Sequence, residues 1–369
     1  MAEHPIEAVL WMPRGLRISG GHVVQLEETA RALEMYGVRA RIDFTQEVDL
    51  TGVDIVHGFC LIPGDVHYCR SRGLPVVVSP IYWDVRYGRD GLLAGASVRS
   101  VLGSFRMASR FLVASLRNGT RLTEACLTSV LVEMEKLATF EAADLLLPNS
   151  AGEADSIRRD LGVTTPMAIV PNGVDPARFD DRGVPFEDRD FVLCVGRIDP
   201  HKNQLALIRA LRGAGKKLVI VGYDHPDHPD YVRACREAGE GWVEFIGGRP
   251  QAELRDVFAA ARVHVVASWF ETTGLVSLEA ALSGCSVVTT GRGHAAHYFG
   301  DRAFYCDPAD AKSIRGAVEA AWEHPPGPDV RRHVLDNFTW DHVARATNDA
   351  YRRVLGQRRG VASPAGALR

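Results

Sequence analysis

The chain has 369 residues, of which 24% are charged and 46% apolar, and its formal net charge is −3. These values predict a globular protein with two domains of ordinary size, and they exclude the strongly basic surface expected of a nucleic-acid-binding protein. The seven cysteines are scattered without a CxxC pair, which predicts reduced thiols and a cytoplasmic protein. No signal-peptide pattern opens the sequence and no apolar run reaches transmembrane length.

The first half of the chain alternates strand-like and helix-like segments. Strands are predicted at 8–12, 38–44, 54–56 and 75–78. A glycine-rich loop ends at Gly20-Gly21 and precedes a helix that is expected to stop near Gly37. This alternation is typical of parallel sheets covered by helices.

A set of arginines farther along shares one face of a predicted helix. Their spacing of seven and four residues aligns them. They are Arg99, Arg106, Arg110, Arg117 and Arg121. A solvated helix side is the simpler interpretation, and peripheral contact with anionic lipid, or with an anionic acceptor, is the alternative.

A second set of strands begins after a polar stretch at 180–190, which we interpret as an interdomain linker. Strands are predicted at 191–196, 218–222, 243–246, 263–267 and 286–290. Between the last two, residues 275–283 predict a helix that ends at Gly284. The result is a βαβ unit, and ligands of such units lie beyond the carboxyl ends of the strands.

Two glutamates eight positions apart occupy that unit. Glu271 lies in the loop and Glu279 on the helix. A carboxylate can accept hydrogen bonds from two adjacent hydroxyls, so one glutamate can bind a sugar and the other a ribose. The backbone N–H groups at Thr273, Gly274 and Leu275 open the helix, where a diphosphate is favoured.

Two cations lie in another strand-to-helix loop, at the start of the second set of strands. Arg197 and Lys202 follow the predicted strand 191–196 and precede a helix predicted at 205–211. Because the carboxyl ends of parallel strands meet at one edge, we expect both side chains to converge with the Glu271 loop on one diphosphate.

These segments together resemble the retaining GT-B glycosyltransferases, particularly the family 4 group. The residues from Trp269 to Gly284 are similar to the E-x7-E signature, 196–203 to the G-R-x-x-x-x-K-N loop, and 171–175 to the N-G-V-D turn. The resemblance implies an α/β GT-B fold, in which two Rossmann-like domains with parallel sheets face a central cleft. It also implies transfer of a sugar from a UDP- or GDP-sugar to a glycan, glycolipid or small-molecule acceptor with retained configuration.

The same resemblance assigns roles to individual residues. Arg197 and Lys202 would hold the donor diphosphate and stabilise it as a leaving group, Glu271 would bind the donor sugar, and Glu279 the ribose. Gly20 and Gly21 would approach the donor phosphate, with His22 beside the sugar or acceptor. No metal or other cofactor is expected, because the cations and the helix N-terminus at Gly274 already supply positive charge.

Domain boundaries follow from the linker and the resemblance. We predict an N-terminal acceptor-side domain at 1–184 and a C-terminal nucleotide-sugar domain at 185–340. A helix at 341–356, after Phe338-Thr339-Trp340, would cross back to the first domain, and a flexible tail would follow at 357–369.

Departures from the family pattern leave alternatives open. The family usually has a histidine after the fourth strand, but here the chain reads Ser79-Pro80-Ile81-Tyr82-Trp83-Asp84. Either Tyr82 or Asp84 replaces this contact with the sugar, or the contact is absent. The missing histidine supports a second hypothesis, a catalytically inactive nucleotide-sugar-binding regulator or partner subunit.

The loop at 224–230 is rich in histidine and aspartate, but the spacing of these residues matches no standard zinc site.

Overall fold

The computed structural model describes residues 4–13, 20–83 and 132–361. Asp84 and the five arginines of the predicted basic face lie outside these residues. The chain divides into two compact units between Pro171 and Asn172, and from Val343 onward it again belongs to the first unit. The domain boundary at 184/185 stays a prediction.

The first unit is a parallel sheet with helices between its strands. Its strands run in the order β2-β1-β3-β4-β5. The strands are β1 Ile6–Trp11, β2 Val38–Asp43, β3 Ile55–Phe59, β4 Val76–Ser79 and β5 Leu145–Leu146. The helices are α1 Gly21–Leu33, α2 Pro63–Ser71, α3 over 132–142 and α4 Ala151–Leu161. Valines such as Val56 and Val76 are fully buried, as expected for strands covered on both faces.

The second unit repeats this architecture with a six-stranded parallel sheet. Its strands are β6 Phe191–Val195, β7 Lys217–Val221, β8 Val243–Ile246, β9 Val263–Val266, β10 Ser286–Thr290 and β11 Phe304–Cys306. Its helices are α5 Gln204–Leu211, α6 Pro229–Gly239, α7 Gln251–Ala260, α8 Leu275–Leu282, α9 Ala295–Phe299, α10 Ala311–Glu323 and α11 Pro328–Asn337. A 3₁₀ turn at Phe186–Asp188 precedes β6.

The strand order of the second sheet explains where its site lies. The order is β11-β10-β9-β6-β7-β8. The chain therefore builds outward from β6 through β7 to β8, and then returns to the other side of β6 with β9. Beyond the carboxyl ends of β6 and β9 the connections run in opposite directions, which is the position where doubly wound sheets bind ligands.

The last helix, α12 Trp340–Val361, joins the first unit from Val343 onward. Its Tyr351 hydroxyl lies 2.9 Å from Nδ1 of His57 on β3, and Nε2 of His57 lies 2.8 Å from the Ser79 hydroxyl. Burial lowers the pKa of His57 to about 3, so the ring is neutral near pH 7. The predicted fold class, α/β with a parallel sheet in each of two domains, is confirmed.

Candidate active site

Lys202 and Glu271 form an ion pair at the point where the strand order of the second sheet reverses. The Lys202 ammonium lies 2.6 Å from Oε1 of Glu271, and the Ser268 hydroxyl donates to the same oxygen at 2.7 Å. The Lys202 side chain is 27% exposed and that of Glu271 only 7%. The two loops that the sequence predicts to converge therefore do meet, after β6 and after β9.

Both members of this pair are ionised at neutral pH. Burial by itself would raise the pKa of Glu271, but the Lys202 ammonium, His201 and the hydrogen bonds from Lys202 and Ser268 outweigh it and hold the pKa below its usual value. Burial would lower the pKa of Lys202, but Glu271 raises it instead. Lys202 and Glu271 therefore form a charged, partly buried ion pair.

Asp199 shapes the loop that carries the two cations. Its carboxylate accepts the Nε–H of Arg197 at 2.8 Å and the backbone N–H of Lys202 at 2.9 Å. Gln204 at the start of α5 donates to the Arg197 carbonyl at 2.8 Å. Burial would raise the pKa of Asp199, but the Lys202 N–H and Arg197 lower it, so it stays charged. The sequence did not single out Asp199, because only the folded loop turns it toward Arg197.

A glycine allows the backbone of Glu271 to pack against the segment after β10. The Glu271 N–H bonds the Arg292 carbonyl at 3.2 Å, and the Glu271 carbonyl accepts from His294 at 2.7 Å. Gly293 has φ +106°, and a Cβ there would lie 2.2 Å from the Glu271 carbonyl oxygen. This close contact needs a glycine, and it fixes the backbone from which the Glu271 side chain projects.

Helix α8 begins at Leu275, three residues after Thr272. Gly274 has φ +73° and precedes the helix, whose first bonds run from Ser277 and Leu278 to the Gly274 carbonyl. The Thr273 side chain faces inward, where its hydroxyl accepts from Asn172 at 2.8 Å and lies 3.3 Å from the Tyr298 hydroxyl. Thr273 therefore ties this loop to the turn at 172–175, while the backbone N–H groups at Leu275 and Val276 precede the first intrahelical bond.

Glu279 lies one helical turn farther along α8 and is 5% exposed. The Gln251 side-chain amide donates to Glu279 Oε1, and the Gln251 carbonyl oxygen accepts from the Arg178 guanidinium. Neither Gln251 nor Arg178 was predicted from the sequence. Gln251 lies 73 positions from Arg178 and 28 positions from Glu279 along the chain, so no local sequence pattern reveals these contacts.

The candidate residues of the first unit are placed as follows. Gly20 precedes α1 and its carbonyl accepts from Val23 at 3.0 Å, Gly21 is the first residue of the helix, and His22 is partly exposed on its first turn. Tyr82 is 2% exposed, and its hydroxyl donates to Glu133 at 3.2 Å. In this conformation the Tyr82 hydroxyl is directed into the protein.

A buried carboxylate fixes the segment that contains Tyr82. Glu153 on α4 accepts the backbone N–H of Tyr82 and that of Asn149, each at 2.5 Å. Burial raises the pKa of Glu153 to about 7 despite these bonds. The preceding residue, Ile81, has φ +44°, an unfavourable value for a β-branched side chain that surrounding contacts must stabilise.

Within the described residues, no three histidine, cysteine, aspartate or glutamate side chains are grouped as a metal centre would need. The same part of the chain contains no helix both long and apolar enough to cross a bilayer.

Comparison with known families identifies the second unit. Residues 189–324 match the family model described as "Glycosyl transferases group 1". This span covers β6 to α10, and so it includes every residue of the Lys202–Glu271 cluster. This part of the second unit is therefore similar in sequence to the group 1 glycosyl transferases.

Curated relatives match over part of their length. The chain is 31% identical over 262 residues to a D-inositol 3-phosphate glycosyltransferase of Stackebrandtia nassauensis, covering 60% of this chain and 58% of that protein. It is 28% identical over 241 residues to glycogen synthase of Mycobacterium tuberculosis, covering 60% of this chain and 56% of that protein. The chain thus spans less than two thirds of the length of these relatives.

Solved structures match almost from end to end. Sucrose-phosphate synthase from Thermosynechococcus elongatus superposes with a TM-score of 0.72 at 19% identity, covering 95% of this chain and all of that one. Anabaena HepE, solved in complex with UDP and glucose, gives a TM-score of 0.58 at 16% identity over 98% of this chain and all of that one. The fold is GT-B.

Proposed function

We propose that this protein is a retaining glycosyltransferase that moves a sugar from a nucleotide-diphosphate sugar to a glycan, glycolipid or small-molecule acceptor. The observation that carries the proposal is the Lys202–Glu271 pair, 2.6 Å apart, at the point where the strand order reverses. A cation and a carboxylate placed together match a donor that presents a diphosphate next to a hydroxyl-bearing ring.

The positive groups around this pair suit the departing diphosphate. As the sugar–phosphate bond breaks, negative charge grows on the leaving group. Lys202, Arg197 and the backbone N–H groups at the start of α8 stabilise it, and preorganised donors of this kind lower the barrier without a metal ion. Glu271 binds hydroxyls of the sugar and electrostatically supports a ring that becomes cationic. Glu279 binds the ribose.

Two comparisons support the proposed glycosyltransferase function. The group 1 match spans the whole cluster. HepE, which shares the fold, was solved with UDP and glucose, the two parts of a nucleotide sugar donor. A UDP- or GDP-sugar is therefore the donor we propose.

A nucleotide-release assay tests the function directly. The protein is incubated with UDP-, GDP- and ADP-sugars, with and without candidate acceptors, and free nucleotide is measured. We expect release from one donor, faster with an acceptor, and unchanged by EDTA. Loss of activity in EDTA that Mg²⁺ or Mn²⁺ restores would overturn the metal-free part of the proposal.

Two observations favour a second candidate, a nucleotide-sugar-binding regulator or partner subunit without transfer. The segment after β4 has no histidine, and the Tyr82 hydroxyl is bonded to Glu133 rather than directed to solvent. Tight binding of a nucleotide sugar, with no release in the presence of any acceptor or of water, would support this candidate over the enzyme.

A further inference from the structure

The buried carboxylate of Glu279 accepts a hydrogen bond from a neutral side-chain amide. Its side chain lies on the inward part of α8, and the residue is 5% exposed. The side-chain amide of Gln251, the first residue of α7, donates to Glu279 Oε1. An amide that donates to one carboxylate oxygen restricts the orientation of the carboxylate and adds no charge of its own.

Arg178 determines which way the Gln251 amide points. The Arg178 guanidinium donates to the carbonyl oxygen of Gln251, and only that end of the amide can accept. The NH₂ group is therefore turned to Glu279. A guanidinium on the oxygen also polarises the amide and strengthens the hydrogen bond that its NH₂ donates.

The turn at 172–175 holds Arg178 in place. The Asp175 carboxylate lies 3.6 Å from the Arg178 guanidinium, and the Asp175 carbonyl accepts the backbone N–H groups of Arg178 and Phe179 at 3.1 and 3.2 Å. A polar chain thus runs from Asp175 through Arg178 and Gln251 to Glu279. It gives this turn a connection to the candidate ribose contact.

We infer that Gln251, with its amide fixed by Arg178, is a positioning residue that orients the Glu279 carboxylate toward the ribose hydroxyls of the donor. The inference rests on the proposed function, since it takes Glu279 as the ribose contact. Gln251 acts through Glu279 and requires no contact of its own with the donor.

Nucleotides without ribose hydroxyls separate positioning from general damage. Affinities for UDP and GDP, and for their 2′,3′-dideoxy counterparts, are measured by calorimetry on the wild-type chain and on Gln251→Met and Arg178→Met. The control is Arg182→Met, four residues after Arg178, which removes a surface ion pair to Asp256 on α7, 3.7 Å apart.

The wild-type protein should prefer the ribonucleotide. Gln251→Met should weaken ribonucleotide binding about tenfold, the effect of one hydrogen bond to a charged group, and leave dideoxynucleotide binding unchanged. Arg178→Met should produce a smaller loss of the same kind. Arg182→Met should bind both nucleotides like the wild type.

Gln251→Glu adds a signature that a merely structural residue would not give. Two carboxylates in contact share a proton, and the protonated partner can donate as the amide does. Ribonucleotide affinity of this variant should therefore rise as the pH falls from 8 to 5, while that of Gln251→Met should not follow the same trend.

The outcomes distinguish the inference from the function beneath it. Equal losses for ribo- and dideoxynucleotides in Gln251→Met, or an Arg178→Met variant that behaves like Arg182→Met, would overturn the positioning role and leave the proposed function intact. A wild-type protein without any preference for the ribonucleotide would instead remove Glu279 as the ribose contact, and the role of Gln251 with it.

Discussion

Lys202 and Glu271 are each other's partner in this structure, although the proposed donor needs both. The ammonium and the carboxylate lie 2.6 Å apart. The diphosphate would take Lys202 and the sugar hydroxyls would take Glu271, so donor binding would exchange one set of charge-assisted bonds for another. The folded-state pKa of Glu271 is lowered and that of Lys202 is raised, so the pair loses its stabilising effect only as pH falls through the former or rises through the latter.

Lys202→Ala tests the leaving-group role. We expect turnover to fall by about 10²-fold or more while donor affinity falls less, because charge on the diphosphate grows mainly in the transition state. Lys217→Ala serves as the control, since it removes a lysine from an exposed ion pair with Glu244, 2.8 Å apart, on neighbouring strands of the same sheet. Steady-state kinetics with calorimetric donor binding measures both terms, and near-normal turnover in Lys202→Ala would exclude this role.

Substitution of Glu271 and substitution of Glu279 should have different effects on nucleotide affinity and on turnover. Glu279→Gln should weaken binding of donor and free nucleotide alike, because the ribose changes little during transfer. Glu271→Gln should spare free-nucleotide affinity and depress turnover, because this carboxylate contacts the reacting ring. Calorimetry and steady-state kinetics on both variants decide the matter, and the reverse pattern would exchange the assignments.

Site residues could be predicted from the sequence where strand topology places them, and not where their role depends on the direction of a side chain. Arg197, Lys202 and Glu271 each follow a predicted parallel strand, so their meeting at one edge followed from topology. Asp199 and Gln251 were missed because their roles depend on side-chain direction in a folded loop. Gln251 and Arg178, for example, are 73 positions apart.

At the scale of elements, two glycines bring the loops after β6 and β7 together. The Cβ of an alanine at Gly222 would lie 1.9 Å from the carbonyl oxygen of Gly196. Backbone atoms cannot rotate away as a flexible side chain can. The loop that carries Arg197 can therefore pack this closely against the loop after β7 only because residue 222 is a glycine.

Gly222→Ala should destabilise the second unit by about 1–3 kcal/mol and lower donor affinity, because the cation loop must shift. The control is Gly316→Ala on α10, where a new Cβ would meet nothing within 4 Å. That change should stabilise the helix by about 1 kcal/mol, the difference in helix propensity. Denaturant titration compares the two variants, and equal stabilities would contradict the close contact.

Most strands of the described residues and a few of the helices were predicted from the sequence. The predicted helix at 275–283 corresponds to Leu275–Leu282, and that at 205–211 to Gln204–Leu211. The strand predicted at 54–56 is Ile55–Phe59 instead. It extends through His57 because this histidine is neutral and hydrogen-bonded at both ring nitrogens, which a polarity pattern cannot anticipate.

At the scale of the whole molecule, buried neutral histidines make stability depend on acid. Burial lowers the pKa values of His57 and His264 to about 3, below the value near 6.5 expected when unfolded. Since the unfolded chain binds protons at these rings that the folded chain does not, the contribution of the two neutral histidines to stability should be fully present above about pH 6.5 and lost progressively as pH falls toward 3.

His264→Leu should reduce this acid sensitivity by about 1.4 kcal/mol per pH unit, the contribution of one proton, over the range between the two pKa values. Denaturant midpoints from pH 8 to pH 4 measure the slope. His67→Gln, at an exposed position on α2, controls for the loss of a histidine that is not buried. An unchanged slope in His264→Leu would mean that this ring is not kept neutral by the fold.

The hydrogen bond between His57 and Tyr351 joins residues 294 positions apart, so during synthesis it can form only long after His57 has been made. At 5–20 residues per second, Tyr351 leaves the ribosome roughly 15–60 s after His57. Within the described residues the second unit occupies the single stretch Asn172–His342, which is fully synthesised before that time. Synthesis of the first unit therefore starts before that of the second unit and is completed after it. His57 on β3 can form this hydrogen bond only once α12 has been made.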